Sequence, residues 1–412
     1  MNIQIDQNLL RHDLQALSEI SAVPAPAVTR IVFSSTDLRG RDFVKHLCVQ
    51  AGLAVREDPV GNTFARWSGT EPDLAPVATG SHIDAIPNAG MYDGTVGVLG
   101  GLEAIRALAR SGYRPRRSID LITFTSEEPT RFGIGCLGSR LMAGVLNASA
   151  GESLVDKEGQ TLNEVRRAAR FVGPLSEVAL SPGHYSAFVE LHIEQGPLLE
   201  KNQLEIGVVK AIAAPASLKI EIEGEGGHAG AVLMPDRRDA FLAAAEIALA
   251  VETAAKATGS RDTVGTCGVC EVFPGAVNSI PSRVRLEVDV RDIDLALRDG
   301  VLRAIAAAIE ETSERRRVTV RTEVVNADAP AMCAPHVVDV LERACKRHQA
   351  SYEIMISRAY HDSLFMSAIA PTAMIFIPCR DGVSHRPDEY SSPEAIVRGA
   401  LILAEALAEL AA

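Results

Sequence analysis

Apolar positions along this chain follow two different spacings, and the change between them divides the chain. In the first part, short apolar runs alternate with amphipathic stretches. Residues 76–82 form an apolar run that stops in Gly-Ser-His. From 95 to 110, Val98, Leu102, Ile105 and Leu108 share one helical face, and Gly112 stands where a helix C-cap glycine belongs. Residues 118–125 are rich in β-branched side chains and 187–193 are again apolar, so both read as strands. Strands alternating with helices predict an α/β domain built on a mainly parallel, doubly wound sheet.

Near Ala211 the period changes. Between 217 and 224, Leu218, Ile220 and Ile222 alternate with Lys219, Glu221 and Glu223, which predicts a strand with one wet face. An Ala-rich helix over about 236–257, strands at 264–272 and 283–291, a helix over about 295–312 and a strand at 318–325 follow. This β-α-β-β-α-β order is the split βαβ pattern of ferredoxin-like domains. Beyond Pro330 the α/β character returns, with a helix at 337–348, a buried strand at 371–378 and a helix at 393–410. The expected organisation is a catalytic domain in two parts, 1–211 and 331–412, interrupted by a satellite domain at 212–330.

Composition narrows the class. The 412 residues are 47% hydrophobic and 23% charged, ordinary for a globular chain. The 41 basic against 53 acidic residues leave a formal charge of −12, which argues against nucleic acid or an anionic membrane surface as partner. A few local arginines could still hold an anionic substrate. Residues 1–6 carry no basic stretch leading into an apolar core, and no run of about 18 apolar residues exists. The seven scattered cysteines suit a reducing compartment, so a cytoplasmic protein is expected. Cys267 and Cys270 have C-x-x-C spacing. No second pair follows at zinc-finger distance, and they read as small residues within a strand.

The candidate chemistry sits at strand ends. His82 and Asp84 close one strand, and Asp93 opens the helix that follows. Glu127 and Glu128 close the next strand, His192 and Glu194 another, and His385 follows the 371–378 strand. In open α/β sheets ligands bind at that edge. Imidazoles with carboxylates and no thiolate suit zinc, manganese or cobalt. Read singly, each histidine fits a structural role and Glu127-Glu128 a solvated strand end. Read together, His82, Asp93, Glu128, His192 and His385 are too many ligands for one tetrahedral ion with an open position. A carboxylate such as Asp93 can bridge two ions about 3.5–4 Å apart, leaving Glu127 free as a base. In the satellite region, His228, Asn278 and Arg291 are each compatible with an ordinary loop or surface position. Together they are the donors that a carboxylate or a developing oxyanion needs.

These blocks resemble the hydantoinase/carbamoylase branch of the metal-dependent aminoacylase and carboxypeptidase superfamily, along nearly the whole chain. The markers are Gly80-Ser81-His82-Ile83-Asp84, Tyr92-Asp93-Gly94, Glu127-Glu128 with Arg131-Phe132-Gly133, Gly138-Ser139-Arg140, His192-Ile193-Glu194-Gln195-Gly196 and Gly227-His228-Ala229-Gly230. The resemblance implies two divalent ions, Mn2+ or Zn2+, on His82, Asp93, Glu128, His192 and His385, with Asp93 bridging and Glu127 as general base. It implies substrate contacts by Gln195, His228, Asn278 and Arg291. It also implies a homodimer formed through the satellite domain, with His228 able to reach the partner's site. Two segments, Ser357-Arg358-Ala359-Tyr360-His361-Asp362 and His228 to Pro235, depart from the amino-acid carbamoylases and look like plant-type ureidoglycolate amidohydrolases. Tyr360 and His361 are then expected to position substrate. The expected reaction is cleavage of the ureido C–N bond of a small ureido acid, ureidoglycolate first, with ammonia and carbon dioxide released. N-carbamoyl-L-amino acids and allantoate are the alternatives, and an aminoacylase or dipeptidase the more distant one. A nucleophilic Ser or Cys hydrolase is disfavoured by the absence of a Gly-x-Ser-x-Gly elbow.

Overall fold

Chain order, in the computed structural model of residues 2–412, runs through β1 (Val77–His82), α1 (Thr95–Arg110), β2 (Ile119–Phe124), β3 (Ala187–Ile193), β4 (Ala214–Glu223), α2 (Ala240–Ala257), β5 (Val264–Phe273), β6 (Arg283–Asp292), α3 (Leu295–Arg316), β7 (Thr319–Ala327), β8 (Thr372–Ile377) and α4 (Pro393–Leu410), with shorter elements between. The chain divides into two compact units, Met1–Ala211 with Met332–Ala412, and Ile212–Ala331.

The first unit is built on a nine-stranded sheet whose middle strands run β2-β1-β3-β8, all parallel. Every residue of these four strands is buried, so their near-continuous apolar runs follow from cover on both faces. The helix α1 packs against β1 and β3 and against α4. It ends at Ser111, with Gly112 at φ 79°, as the sequence predicts. The flanks differ from the middle. On one side an antiparallel hairpin, Ala54–Glu57 with Thr63–Trp67, joins β2, and on the other Ile206–Ile212 runs antiparallel to β8. The 54–57 strand is exposed except at half-buried Val55 and shows no apolar alternation to signal it.

In the second unit the sheet order is β5-β6-β4-β7 with every neighbouring pair antiparallel, the ferredoxin-like arrangement. Leu218, Ile220 and Ile222 of β4 and Val284, Leu286, Val288 and Val290 of β6 pack with Ala243, Ile247 and Val251 of α2 and Val301, Ile305 and Ile309 of α3. The helix α2 starts later than its periodicity suggests. Asp239 accepts from the N–H groups of Phe241 and Leu242 and caps it there, after a short 3-10 turn at Met234–Asp236. At its end, α3 continues past Thr312 to Arg316 and stops at Arg317, which is in the left-handed region.

The Cys267/Cys270 pair lies on β5, as expected, but not with the alternation a regular strand would give. A bulge between Cys267 and Val269 sets Cys267 opposite Val288 and Cys270 opposite Leu286, so the two residues share a register face; Cys267 packs against the helix-covered core and Cys270 is exposed. All seven cysteines are free. Among the described residues no helix is long and apolar enough to cross a membrane.

Candidate metal centre

The four parallel strands deliver their last residues to one edge. β1 ends on His82, whose Nδ1 lies 3.0 Å from the Asp84 carbonyl oxygen. A carbonyl only accepts, so the neutral ring carries its proton on Nδ1 and leaves the Nε2 lone pair for a cation. His192 near the end of β3 is fixed the same way, its Nδ1 2.9 Å from the Ile193 carbonyl oxygen, and Gly94 N–H donates to its Nε2 at 3.3 Å. Both Nε2 atoms face one carboxylate oxygen: Oδ1 of Asp93 is 3.7 Å from His82 and 3.2 Å from His192. The other oxygen, Oδ2, is 3.1 Å from Nε2 of His385, which is itself 3.3 Å from Oε1 of Glu128. Among the described residues, the potential ligand atoms around Asp93 therefore form two groups, His82/Asp93/His192 and Asp93/Glu128/His385, joined through Asp93.

The close fit around Asp93 has a local cause. Gly94, the residue before α1, adopts φ 66°, and a Cβ there would lie 2.4 Å from His82 Nε2. Only glycine lets the helix begin so near the imidazole. Buried Glu389 holds the preceding backbone: its Oε1 accepts from Tyr92 N–H at 2.9 Å and Asp93 N–H at 3.1 Å. The Ser384 hydroxyl lies 2.8 Å from Glu389 Oε2 and 3.1 Å from Asp93 Oδ2. Asp84 accepts from the N–H groups of Glu127 at 3.2 Å and Glu128 at 3.1 Å, which ties the end of β2 to that of β1. Behind this, fully buried Arg30 donates to Ile83 O at 2.6 Å and Leu17 O at 2.5 Å. Burial lowers the Arg30 pKa to about 10, against the pull of Asp37 and Asp84. Sequence reading gave Glu389, Ser384 and Arg30 no role. Glu389 follows His385 by four residues in Ser-His-Arg-Pro-Asp-Glu, and no periodic pattern marks it.

Charge is distributed unequally. Burial works against ionised Asp93, yet His192, His385 and His82 hold its carboxyl well below the ordinary carboxylate range. Burial also opposes a charged His82, but Glu127, Asp93 and Asp84 raise its pKa. The hydrogen bond to Asp93 lifts His385 to about 9, while burial and Asp93 push Glu128 up to about 7. Glu127 is held well above the ordinary range by burial, against His82 and with Glu128, Asp362 and Asp93 adding to the rise. Its Oε2 is 3.7 Å from His82 Nε2, its Oε1 accepts from Cys136 Sγ at 3.5 Å, and it belongs to neither ligand group. Nitrogen and oxygen donors converging on each side of one carboxylate, with both Nδ1 atoms already engaged, fit divalent cations.

The remaining expected residues fall in two places. Gln195 donates from Nε2 to Asp93 Oδ2 at 3.0 Å, and its buried Oε1 has no partner. His361 is buried, 4.5 Å ring to ring from His192, and its Nε2 is unpartnered. Burial and His192 hold it well below the usual imidazole pKa, so it is neutral. Glu190 also approaches His192 and His361, but its oxygens already accept from Ser81 Oγ at 2.7 Å and Ser363 Oγ at 2.6 Å. Tyr360 lies over the Arg140 guanidinium at 5.6 Å. Glu194 sits apart from the ligands and accepts from Leu198 and Leu199 N–H, capping a short helix. In the second unit, His228 and Ser279 pair across a two-residue ladder, and Ala229 N–H donates to Asn278 O at 2.9 Å, so His228 and Asn278 share one loop cluster. Arg291 does not join them. It lies at the far end of β6, on the polar face, with its Nε 2.7 Å from Asp289 Oδ1.

Comparison with known proteins agrees with this architecture. Residues 78–409 match the Peptidase family M20/M25/M40. The chain is 52% identical to a ureidoglycolate hydrolase of Arabidopsis thaliana, over 99% of this chain and 87% of that one. It is 40% identical to an N-carbamoyl-L-amino acid amidohydrolase of Geobacillus stearothermophilus, over 97% of each chain. The crystal structure of AtUAH in complex with (S)-hydroxyglycine superposes with a TM-score of 0.89, at 52% identity, covering 99% of this chain and 98% of that one. A parallel-sheet edge that gathers histidines and carboxylates around one aspartate, together with full-length likeness to these hydrolases, establishes that the chain belongs to the M20/M25/M40 peptidase family, in its hydantoinase/carbamoylase branch of carbon–nitrogen hydrolases.

Proposed function

We propose that this chain hydrolyses ureidoglycolate, releasing ammonia and carbon dioxide and leaving hydroxyglycine, which breaks down to glyoxylate and a second ammonia. The observation that carries the reading is the pair of ligand groups meeting on Asp93 with Glu127 beside them and outside both. The choice of substrate draws on the likeness to the Arabidopsis ureidoglycolate hydrolase and to the hydroxyglycine complex. In this reading His82, Asp93 and His192 hold one divalent ion and Asp93, Glu128 and His385 a second, manganese or zinc. When bound, such ions supply Lewis acidity and lower the pKa of water towards neutrality.

The chain's own groups do the rest. Glu127 starts as the carboxylate, takes the proton of the attacking water and passes it to the leaving nitrogen; its buried setting, which raises its pKa, strengthens it as the proton acceptor. Water adds to the ureido carbonyl carbon, the bond to the terminal nitrogen breaks, and ammonia departs. The carbamate left behind loses carbon dioxide. His228 donates to the developing oxyanion, Asn278 and Arg291 bind the carboxylate, and Gln195, Tyr360 and His361 orient the substrate.

A homodimer through the second unit belongs to the same proposal. From Arg283 to Arg291 the strand takes eight residue steps, about 26 Å at roughly 3.3 Å per step. The His228/Asn278 cluster lies beyond the Arg283 end. One copy of the unit therefore does not bring Arg291 and His228 to the same small molecule, whereas Arg291 of one protomer and the loop cluster of its partner can. We place the activity in purine breakdown in the cytoplasm.

The test is ammonia release by the manganese-loaded protein on ureidoglycolate, allantoate, N-carbamoyl-L-amino acids and N-carbamoyl-β-alanine. A strong preference for ureidoglycolate is the expected result. A preference for carbamoyl amino acids, the substrate class named for the Geobacillus relative, would overturn the substrate while keeping the site.

A further inference from the structure

We propose that Arg237 is a positioning residue that fixes the His228 ring as an Nε2–H donor. The proposal rests on the role given to His228 above. His228 closes a two-residue strand, and the chain turns at once after it. Ala231 and Val232 N–H donate to His228 O at 3.0 and 3.2 Å, and Gly230 N–H donates to His228 Nδ1 at 3.1 Å. A backbone N–H can only donate, so Nδ1 holds the lone pair and the neutral ring carries its proton on Nε2. The ring is exposed, with that Nε2–H as its donor.

The turn is made of Ala229, Gly230, Ala231 and Val232, small residues with little side chain to hold them in place. Half-buried Arg237 supplies the restraint. Its Nε donates to Val232 O at 3.1 Å, and its Nη2 donates to Ala229 O. One planar guanidinium thus grips both ends of the turn that carries Gly230. The spacing of the two carbonyls matches a rigid fork and not the single ammonium of a lysine. Ala229 N–H is bonded in turn to Asn278 O, so the same restraint reaches the second loop of the cluster. Arg237 then acts through His228, by keeping the Gly230 amide aimed at Nδ1 and the ring in one orientation.

The test compares Arg237→Ala, Arg237→Lys, His228→Ala and the double variant Arg237→Ala/His228→Ala in the manganese-loaded full-length protein. Losing an oxyanion donor costs roughly 100-fold or more in kcat, and a misoriented one should cost about tenfold. Arg237→Ala is expected to lower kcat by about that factor with KM within about twofold, and Arg237→Lys should not restore it. The double variant should be no slower than His228→Ala alone, because Arg237 has nothing left to position. Losses that multiply, or a wild-type kcat in Arg237→Ala, would overturn the proposal. Hydrogen exchange of the 228–232 peptide gives a readout independent of turnover: it should speed up in Arg237→Ala, and unchanged exchange would also overturn it. If the wild-type protein turned over no ureido acid, the functional reading would fail while the exchange measurement still judged the clamp. Should Arg237→Ala not fold, Arg237→Gln supplies the same comparisons.

Discussion

Replacing Glu389 separates a ligand from the residue that aims it. One Glu389 oxygen accepts from two consecutive backbone N–H groups, Tyr92 at 2.9 Å and Asp93 at 3.1 Å, and the other is 2.8 Å from the Ser384 hydroxyl. Hydrogen bonds to a charged acceptor contribute roughly 1.5–3 kcal/mol each, and a buried N–H left unpaired costs about 1–3 kcal/mol. Glu389→Ala removes both acceptors at once, so a loss of about 3–5 kcal/mol in the first unit is expected. Asp93 carries both ligand groups, so its displacement should weaken manganese binding by roughly 10–100-fold. Glu389→Gln keeps an oxygen towards the two N–H groups, and its new NH2 can donate to Ser384 Oγ. Its cost should be about 1 kcal/mol, with metal affinity changed by no more than a few-fold. Urea unfolding of the metal-free protein gives the stabilities, and competition with a chelator gives the affinities. Equal effects of Ala and Gln on metal binding would refute the argument, because the acceptor geometry would then not be what holds Asp93.

Three other expectations follow from the same structure. Glu127→Gln should keep its metal content and lose roughly 100- to 10,000-fold in kcat, and wild-type turnover in that variant would remove Glu127 from the base role. Gly80→Ala places a Cβ 1.9 Å from Ile122 O at φ 152°, so β1 and β2 cannot pair as they do, and a wild-type melting temperature would contradict this. Metal binding should be proton-coupled. In the metal-free protein His385 keeps its proton up to about 9 and Glu128 up to about 7, and an ion must displace both. Affinity should therefore rise with pH through that window, with protons released, as calorimetry in two buffers of different ionisation enthalpy would show. Binding without proton release would refute the coupling.

The periodicity of the chain carried the middle of both sheets. Strands buried on both faces need continuous apolar runs, and a strand buried on one face needs alternation, so β1, β3, β8, β4 and β6 announce themselves. The residues His82, Asp93, Glu128, His192 and His385 could be named as a set because each lies at or just past a strand end, and parallel strands bring their ends to one edge. The flanking hairpin at 54–67 escaped this reasoning because its outer strand buries too little apolar surface to require a pattern.

What the sequence by itself determined is which chemical groups are present and which elements carry them. Tertiary structure alone decided how those groups are aimed. That Asp93 turns one oxygen to His82 and His192 and the other to His385 depends on Glu389, which is 296 residues away in sequence. That Arg291 stands at one end of β6 and the His228 ladder beyond the other depends on how the strands are paired, and that Cys267 and Cys270 share a face depends on a single bulge. Periodicity records the face a residue must bury, because burial acts on each residue locally. Hydrogen bonds between distant segments leave no such periodic trace, since any position that reaches its partner satisfies them equally well.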